Sequence, residues 1–523
     1  MIQLKKHPWV LHAILFCTLL ICASCEKKEE HLEVESTYSI SVTAVEKANA
    51  PALQSFAHGI HDGKWLLFAG RTNQNLDEGG LHDLNGNYTS TSFVPMSYNE
   101  DIMVYDLAND VIQGMTLENM LSAVKLKQPK TSTLYTTLSQ YQTVFRNSNP
   151  LTTQDGEFMY VIGGYGPPIT DVENGQGYTT FDQVAQIHIP SMIALVTGDN
   201  ANVDWENIMA FGKSFNGESS KLRSTGGEMF KLGDKFYVAG GHNFGPTALK
   251  GQKYLDAVYP FSITRNVGGN TLTITVDAPI SDMTEADLSK AISDQDSKFR
   301  RRDGPTTPAL FKNANGELTE GITFYGGVFK PDSAVVSGKD TTHWNNAWNH
   351  AIYVHPSISS NGNYYTFDNG SNQQNNNVYA CADLEFYDSS AEMVHTFLFG
   401  GIGNGEVQSA SALSYFTNKL MHITYDMATG KSTPVVTNDN VFGTDFFYGA
   451  ESRFFPNASV VNTKVGDSNS AVIDIVSTMG DNSTMDLGYI YGGIEAFVKA
   501  PGTFGPRHSA ASDKVWKVTV TKN

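Results

Sequence analysis

Phe236-Tyr-Val-Ala-Gly-Gly241 is the clearest of six copies of one phrase, a short apolar run that stops on a glycine pair. The others are Trp65-Leu-Leu-Phe-Ala-Gly70, Phe158-Met-Tyr-Val-Ile-Gly-Gly164, Ile322-Thr-Phe-Tyr-Gly-Gly327, Thr396-Phe-Leu-Phe-Gly-Gly401 and Gly488-Tyr-Ile-Tyr-Gly-Gly493, with Ala69 standing for the first glycine of its copy. Runs rich in aromatic and β-branched residues fit a buried pleated strand, and glycine permits backbone angles and close approaches that a side chain forbids. Recurrence at roughly 75 to 95 residues marks a repeat architecture.

Around the Phe236 copy the chain reads as four strands. Arg223 to Leu232 is strand a, Gly233-Asp234 a tight hairpin turn, Lys235 to Ala239 strand b, Asp256 to Thr264 strand c and Asn270 to Val276 strand d. Four antiparallel strands per unit make one blade of a β-propeller. Strand c recurs as Asp101 to Asp106, Gln183 to Ile189, Ala351 to Val354, Leu420 to Asp426 and Lys514 to Val520. Leu117 to Val124 and Met283 to Phe299 have helical character, the second with Thr284 as N-cap and Glu285 and Asp287 in its first turn, and both read as decorations between blades. The sixth unit ends after its strand c, which would leave an open edge in the ring. Tyr38 to Val45 alternates apolar and polar residues and has no hairpin partner beside it. The expected fold is therefore an all-β, six-bladed propeller over residues 38–523, closed by this N-terminal strand as strand d of the last blade.

The formal net charge of −18 argues against nucleic acid as a partner, since phosphate binding needs clustered Lys and Arg to displace counterions. Lys5 and Lys6 precede an apolar run from Trp9 to Ile21, too short for a comfortable permanent span. Cys22-Ala-Ser-Cys25 follows, and the whole resembles a bacterial lipoprotein signal, with residues 1–24 removed and Cys25 lipidated. Glu26-Lys-Lys-Glu-Glu30 resembles the charged tags that send such proteins to the cell surface, and residues 25–37 read as a flexible tether. The expected location is the outer membrane, held by lipid on Cys25. Cys381 is then the sole thiol of the folded part, so no intrachain disulfide is expected.

The glycine pair at the end of strand b, an aromatic near the end of strand c and a charged residue opening strand a resemble a kelch-repeat β-propeller across residues 38–522. Its units are longer than the kelch repeat of about 50 residues, and the family's strand-c tryptophan survives only as Trp516. The resemblance implies a central channel lined by strand a, with the loops after strand b and before strand a sharing one face. That face would gather Tyr141, Arg223, Arg301-Arg302-Asp303, Tyr379 and Glu451-Ser452-Arg453, with Arg71, His242 and Arg507-His508 from adjoining loops.

Arginines around a funnel could grip carboxylate or phosphate through their planar forks, or tie neighbouring blades together through backbone carbonyls. Thr342-His-Trp-Asn-Asn-Ala-Trp-Asn-His350 places Trp344 and Trp348 among amides, as a sugar site requires, or one turn apart on a short helix that pins the loop. Asp83-Leu-Asn-Gly-Asn87 begins like a calcium loop but lacks the closing glutamate, and His343 and His350 have no third ligand at zinc spacing. The copper site of galactose oxidase, which shares the kelch propeller, has no match here. No metal or cofactor is expected.

These readings point to a lipid-anchored binding module for a glycan or an exported protein, with Arg71, Tyr141, Arg223, His242, Arg302, Trp344, Trp348 and Arg453 as candidate ligand-binding residues. The alternative is a carbohydrate-active enzyme. The kelch resemblance extends to sialate mutarotases, which open and reclose a sugar ring by proton transfer, and Glu451 with Arg453 is the acid-base pair this chain offers. A third reading is a scaffold of an envelope complex.

Overall fold

The computed structural model describes residues 37–73, 97–167, 178–214, 221–245, 253–290, 293–294, 296–336, 339–358, 363–368, 377, 379–403, 415–497 and 509–523. The signal segment, Cys25, residues 83–87 and Arg507-His508 lie outside them, as does the side chain of Trp344. Six four-stranded antiparallel blades follow one another along the chain. In the order a to d, blade 1 is Ala57–His61, Lys64–Phe68, Asp101–Asp106 and Val111–Thr116. Blade 2 is Leu151–Asp155, Phe158–Ile162, Val184–His188 and Met209–Gly212, and blade 3 is Thr225–Leu232, Lys235–Asn243, Val258–Arg265 and Leu272–Val276. Blade 4 is Thr306–Lys312, Leu318–Phe324, Ile352–Val354 and Tyr365–Phe367. Blade 5 is Ala382–Asp388, Met393–Phe399, Lys419–Asp426 and Lys431–Asn440.

Blade 6 takes Arg453–Pro456, Thr484–Tyr491 and Val515–Lys522 from the end of the chain and Tyr38–Val45 from its beginning. The closing strand runs antiparallel to strand c in unbroken register, from Tyr38 opposite Lys522 to Val45 opposite Val515. This is the closure expected from the missing strand. Tyr38 anchors it: its hydroxyl donates to Asp388 Oδ2 at 3.1 Å, and its ring meets Phe386 edge-on at 5.1 Å.

The core is a set of wedges between neighbouring sheets rather than one central mass. At the joint of blades 6 and 1, Trp65 stacks on Phe455 with centroids 4.1 Å apart, among Leu53, Phe56, Leu67 and Tyr491. At the joint of blades 2 and 3, Tyr160, Ile162, Phe236, Val238 and Phe261 pack together. A propeller built this way needs every blade, because each wedge borrows half its apolar surface from the next sheet.

Three local expectations are corrected. The described residues of the stretch Lys330 to Asn349 hold no helix: Val328–Val336 and Lys339–Ala347 form a β-hairpin, with Asp332 opposite His343. Among the described residues of the 283–299 region helix is confined to Glu285–Leu288, where Thr284 and Asp287 form the capping box. The strand read as Gln183 to Ile189 ends at His188, and Ile189–Val196 is a helix with Pro190 in its first turn. The helix expected at Leu117 to Val124 is present as Leu117–Leu126, its N-terminus capped by Thr116 Oγ1 accepting from Asn119 N at 3.1 Å.

The glycine pairs stitch the ring. In five blades the second glycine donates its N–H to a carbonyl leading into strand a of the next blade: Gly70 to Asn147 (2.7 Å), Gly164 to Ser224 (3.0 Å), Gly241 to Arg301 (2.8 Å), Gly401 to Tyr448 (3.0 Å) and Gly493 to Leu53 (2.8 Å). A Cβ on Gly163 would lie 1.9 Å from Ser224 O, and one on Gly400 2.3 Å from Tyr448 O. Both residues of these pairs sit in the left-handed region, for example Gly240 at φ 69° and Gly241 at φ 85°. Ala69 adopts the same conformation at φ 54°, so its copy keeps the geometry of the pair at a conformational cost.

Candidate functional site at the channel throat

Two or three residues past each of the five stitched carbonyls, and at the corresponding place ahead of blade 5, one residue per blade joins a ring: Ser55, Asn149, Gly226, Asp303, Ala380 and Glu451. Five of the six have positive φ, between 45° for Asp303 and 66° for Gly226. Backbone bonds link them into a belt, with Asn149 N donating to Ser55 O (2.9 Å), Asp303 N to Gly226 O (2.7 Å), Ala380 N to Asp303 O (2.5 Å) and Glu451 N to Ala380 O (3.0 Å). Side chains complete the circle, as Thr225 Oγ1 donates to Asn149 O (3.0 Å) and Ser55 Oγ to Glu451 Oε2 (2.9 Å). Left-handed backbone in non-glycine residues costs on the order of 1 kcal/mol each, and such strain clusters where function or assembly fixes the chain.

The belt throws its side chains across the throat. Asp303 accepts from Asn149 Nδ2 at 3.3 Å and from the Tyr379 hydroxyl at 3.2 Å, and pairs with Arg302 Nε at 3.2 Å. Asn149 and Asp303 belong to blades 2 and 4 and reach each other over blade 3 because Gly226 offers no side chain. A Cβ there would lie 2.1 Å from Asp303 Oδ1. Just beneath, Arg453 Nη1 of blade 6 meets Glu228 Oε1 of blade 3 at 2.8 Å. Blades 3 and 6 stand opposite one another in the ring, so this ion pair crosses the axis. Asp383 and Glu385 of blade 5 and His58 of blade 1 enclose the same cluster.

Carboxyl groups outnumber cations here, and burial decides their charge. Burial, then the neighbouring Asp303, raises Glu451 to about 7, with Arg453 and the Ser55 hydroxyl opposing. Burial and Glu228 raise Asp383 to about 7, and Glu385 is pushed well above the ordinary carboxylate range by burial and Asp383. Asp303 is raised by burial against the pull of Arg302, Tyr379 and Asn149. Burial works against the charge of Arg453, but Glu228, Glu451 and Asp383 outweigh it and keep the guanidinium firmly protonated. His58, buried against Phe455 and beside Arg453, is lowered to about 3 and is neutral. The throat therefore holds carboxyl groups that gain or lose protons near neutrality, next to a permanent cation and a phenol.

Of the residues singled out from sequence, Glu451, Arg453, Arg302, Asp303 and Tyr379 come together here. Arg302 Nη1 also lies 3.0 Å from Nε2 of His242, which burial and the flanking Arg302 and Arg300 hold neutral. Arg71 stands behind the throat, 2% exposed. With its amide oxygen turned toward Arg71, Gln54 accepts from Nη2 at 2.9 Å and Nε at 2.7 Å, while its nitrogen donates to Ser55 Oγ at 2.7 Å. A relay thus runs from Arg71 through Gln54 and Ser55 to Glu451, so Arg71 positions the carboxylate rather than presenting an open fork. Tyr141 is elsewhere: it caps the helix Ser132–Gln140 and stacks on Phe211 of the outer strand of blade 2. Trp348 is pinned, its Nε1 donating to Arg300 O at 2.8 Å and its ring under Arg301 and Lys330. Arg223 lies at a separate cavity beside blade 3.

Sequence reasoning missed Ser55, Asn149, Glu228, Asp383 and His58. A usable signal was present: Arg146, Arg223 and Arg300 recur at one spacing, each three residues before a belt residue. Among the described residues no group of three or more His, Cys, Asp or Glu side chains is placed to hold a metal ion. Cys381 is a buried thiol raised well above its ordinary pKa by burial, which leaves it unreactive.

The same face carries an aromatic pair. Phe446, between blades 5 and 6, and Phe497, after strand b of blade 6, are 39% and 42% exposed and meet edge-on at 5.6 Å. Beside them the Tyr448 hydroxyl donates to Glu495 Oε1 at 3.3 Å.

No protein-family model matches the chain, and no curated protein matches it. Among solved structures, one described as "Structure of YjhT" is 10% identical, over 91% of this chain and 99% of that one, with a TM-score of 0.39. A likeness of that size bears no weight on its own, and the propeller rests on the strand pairing.

Proposed function

We propose that this is a kelch-type propeller, held at the outer membrane by lipid on Cys25, that binds a carbohydrate on its loop face. The supporting observation is that the loop face carries the exposed Phe446 and Phe497 pair as well as the hydrogen-bonding groups of the throat. A pyranose presents C–H faces that stack on aromatic rings and hydroxyls that bond to carboxylates and amides. The experiment is a glycan array followed by calorimetry. The wild-type protein binds a glycan, and Phe446→Ala with Phe497→Ala weakens binding about tenfold or more, roughly 1.4 kcal/mol, without changing the thermal midpoint. Full affinity in the double variant would remove the reading.

A second reading, acid-base chemistry on the bound sugar, is favoured by the raised pKa of Glu451 beside Asp303 and Arg453. A group poised near neutrality both takes and returns a proton efficiently. Anomer exchange followed by NMR is then expected to fall about a hundredfold or more in Glu451→Gln while glycan affinity is kept. Unchanged exchange in that variant leaves the binding module alone.

A further inference from the structure

Beside blade 3, away from the throat, a cavity of about 160 Å³ opens between the lead-in to strand a, the strand b to c connection and the helix Glu285–Leu288. Lys221, Arg223 and Lys253 line it, and Glu285 is the one carboxylate on its wall among the described residues. Glu285 is already paired with Lys221 at 3.8 Å. Among the described residues two cations therefore face the cavity in excess.

Arg223 is the distinctive member. It occupies the same place in blade 3 as Arg146 in blade 2 and Arg300 in blade 4. Arg146 Nε is bound to Glu100 at 2.7 Å, and the Arg300 guanidinium lies 3.9 Å over the Tyr254 ring. Half-buried Arg223 makes no ion pair among the described residues, and its buried Nε, like those of the ion-paired Arg146 and the ring-stacked Arg300, makes no hydrogen bond there. Lys253 is half-buried as well and gives one donor to Leu288 O at 2.9 Å. Desolvation lowers its pKa, against the pull of Asp256. A buried guanidinium N–H left without an acceptor is costly, and the group that relieves this cost is an oxyanion.

We propose that this cavity binds a carboxylate or phosphate group, received by Arg223 and Lys253, on a small molecule whose body lies against Tyr254, Tyr259 and Leu288. A cavity of this size is close to the ~150 Å³ that encloses a benzene ring, so it takes a headgroup and not an oligosaccharide. The site is independent of the throat.

Calorimetric titration of the purified full-length protein with inorganic phosphate, glucuronate and glucose tests it. Saturable binding of phosphate or glucuronate with glucose silent supports the site, and which of the two binds tells a phosphate from a carboxylate ligand. Arg223→Gln and Lys253→Met each weaken that binding by about tenfold or more, and Arg223→Lys, which keeps the charge but loses the fork, falls between. Glu451→Gln leaves it unchanged, which separates this site from the throat. No saturable heat with either anion up to about 20 mM, or wild-type affinity in Lys253→Met, overturns the proposal. Lys253→Met serves if Arg223→Gln fails to fold.

Discussion

At the scale of single residues the propeller depends on where a Cβ is absent. Gly493 has φ 84°, and a Cβ there would sit 2.4 Å from Ala450 O and 2.5 Å from Ser452 N. Gly63 is also left-handed, at φ 73°, but has nothing within 4 Å. Gly63→Ala is expected to cost about 1 kcal/mol, the conformational penalty alone. Gly493→Ala is expected to cost at least about 3 kcal/mol, because backbone at a ring joint must move as well. Chemical denaturation of the two variants checks the difference, and equal costs would mean that the stitch is not what the pair is for. The glycines were legible in the sequence because they recur beside strands. The belt was not. Its members are Ser, Asn, Gly, Asp, Ala and Glu, unlike in chemistry and alike only in backbone position, and the arginine three residues ahead marks only Asn149, Gly226 and Asp303. Glu451, Arg453 and Arg302 were found through their charge and their place ahead of strand a. Glu228 and Asp383 read as ordinary polar residues of a strand, and only closure brings them to the axis.

Among the elements, the strand Tyr38–Val45 has the largest effect for its length. Without it, strand c of blade 6 becomes an open edge, and the wedge holding Tyr38, Val518 and Val520 loses one side. Deletion of residues 38–45 is expected to give a protein that aggregates or melts well below the wild type. Tyr38→Phe, which removes the bond to Asp388, is expected to cost about 1 kcal/mol. Thermal denaturation with size-exclusion chromatography measures both, and a monomeric deletion variant with an unchanged midpoint would deny the strand its role. The closing strand was legible because its alternation demanded a partner and the last blade lacked one. The hairpin Asn462–Val465 and Ser468–Asp474 was not. It interrupts strands a and b of blade 6 and pairs in parallel with strand a of blade 5, Phe386 opposite Ile473, an attachment no local pattern announces. The helix Ile189–Val196 was hidden for another reason: nearly all its side chains are buried, so it shows no amphipathic period.

Across the whole molecule, the buried titratable groups pull stability in opposite directions with pH. Glu451 and Asp383 are raised to about 7, so the folded protein holds more protons than the unfolded chain between the ordinary carboxylate range and neutrality. Their stabilising contribution is present below that range and is lost as pH rises to about 7. His395 and His422, 2.9 Å apart in blade 5, are lowered by burial to about 4 and about 3, and His58 is lowered to about 3. Their contribution is present above the ordinary histidine pKa and is lost as pH falls toward those values. Glu451→Gln removes one upward-shifted group and keeps an acceptor for Ser55. Its stability relative to wild type is expected to improve by on the order of 3 kcal/mol between about pH 4.5 and pH 8. A difference that stays constant with pH in denaturant titrations would show that Glu451 titrates as it does in the unfolded chain.

The closure by Tyr38–Val45 also sets the order of folding. The two strands that it joins are about 480 residues apart, so the first strand of the ring to be synthesised is the last to find its place. Five blades can form as hairpins and meanders while the chain is still growing, but the sixth waits for the final residues. Until then an eight-residue strand remains a free edge, and its alternating Ser39, Ser41 and Thr43 keep that edge polar during the wait. Folding of this protein is therefore expected to end in a single slow docking step, whose rate depends on the termini and not on the throat.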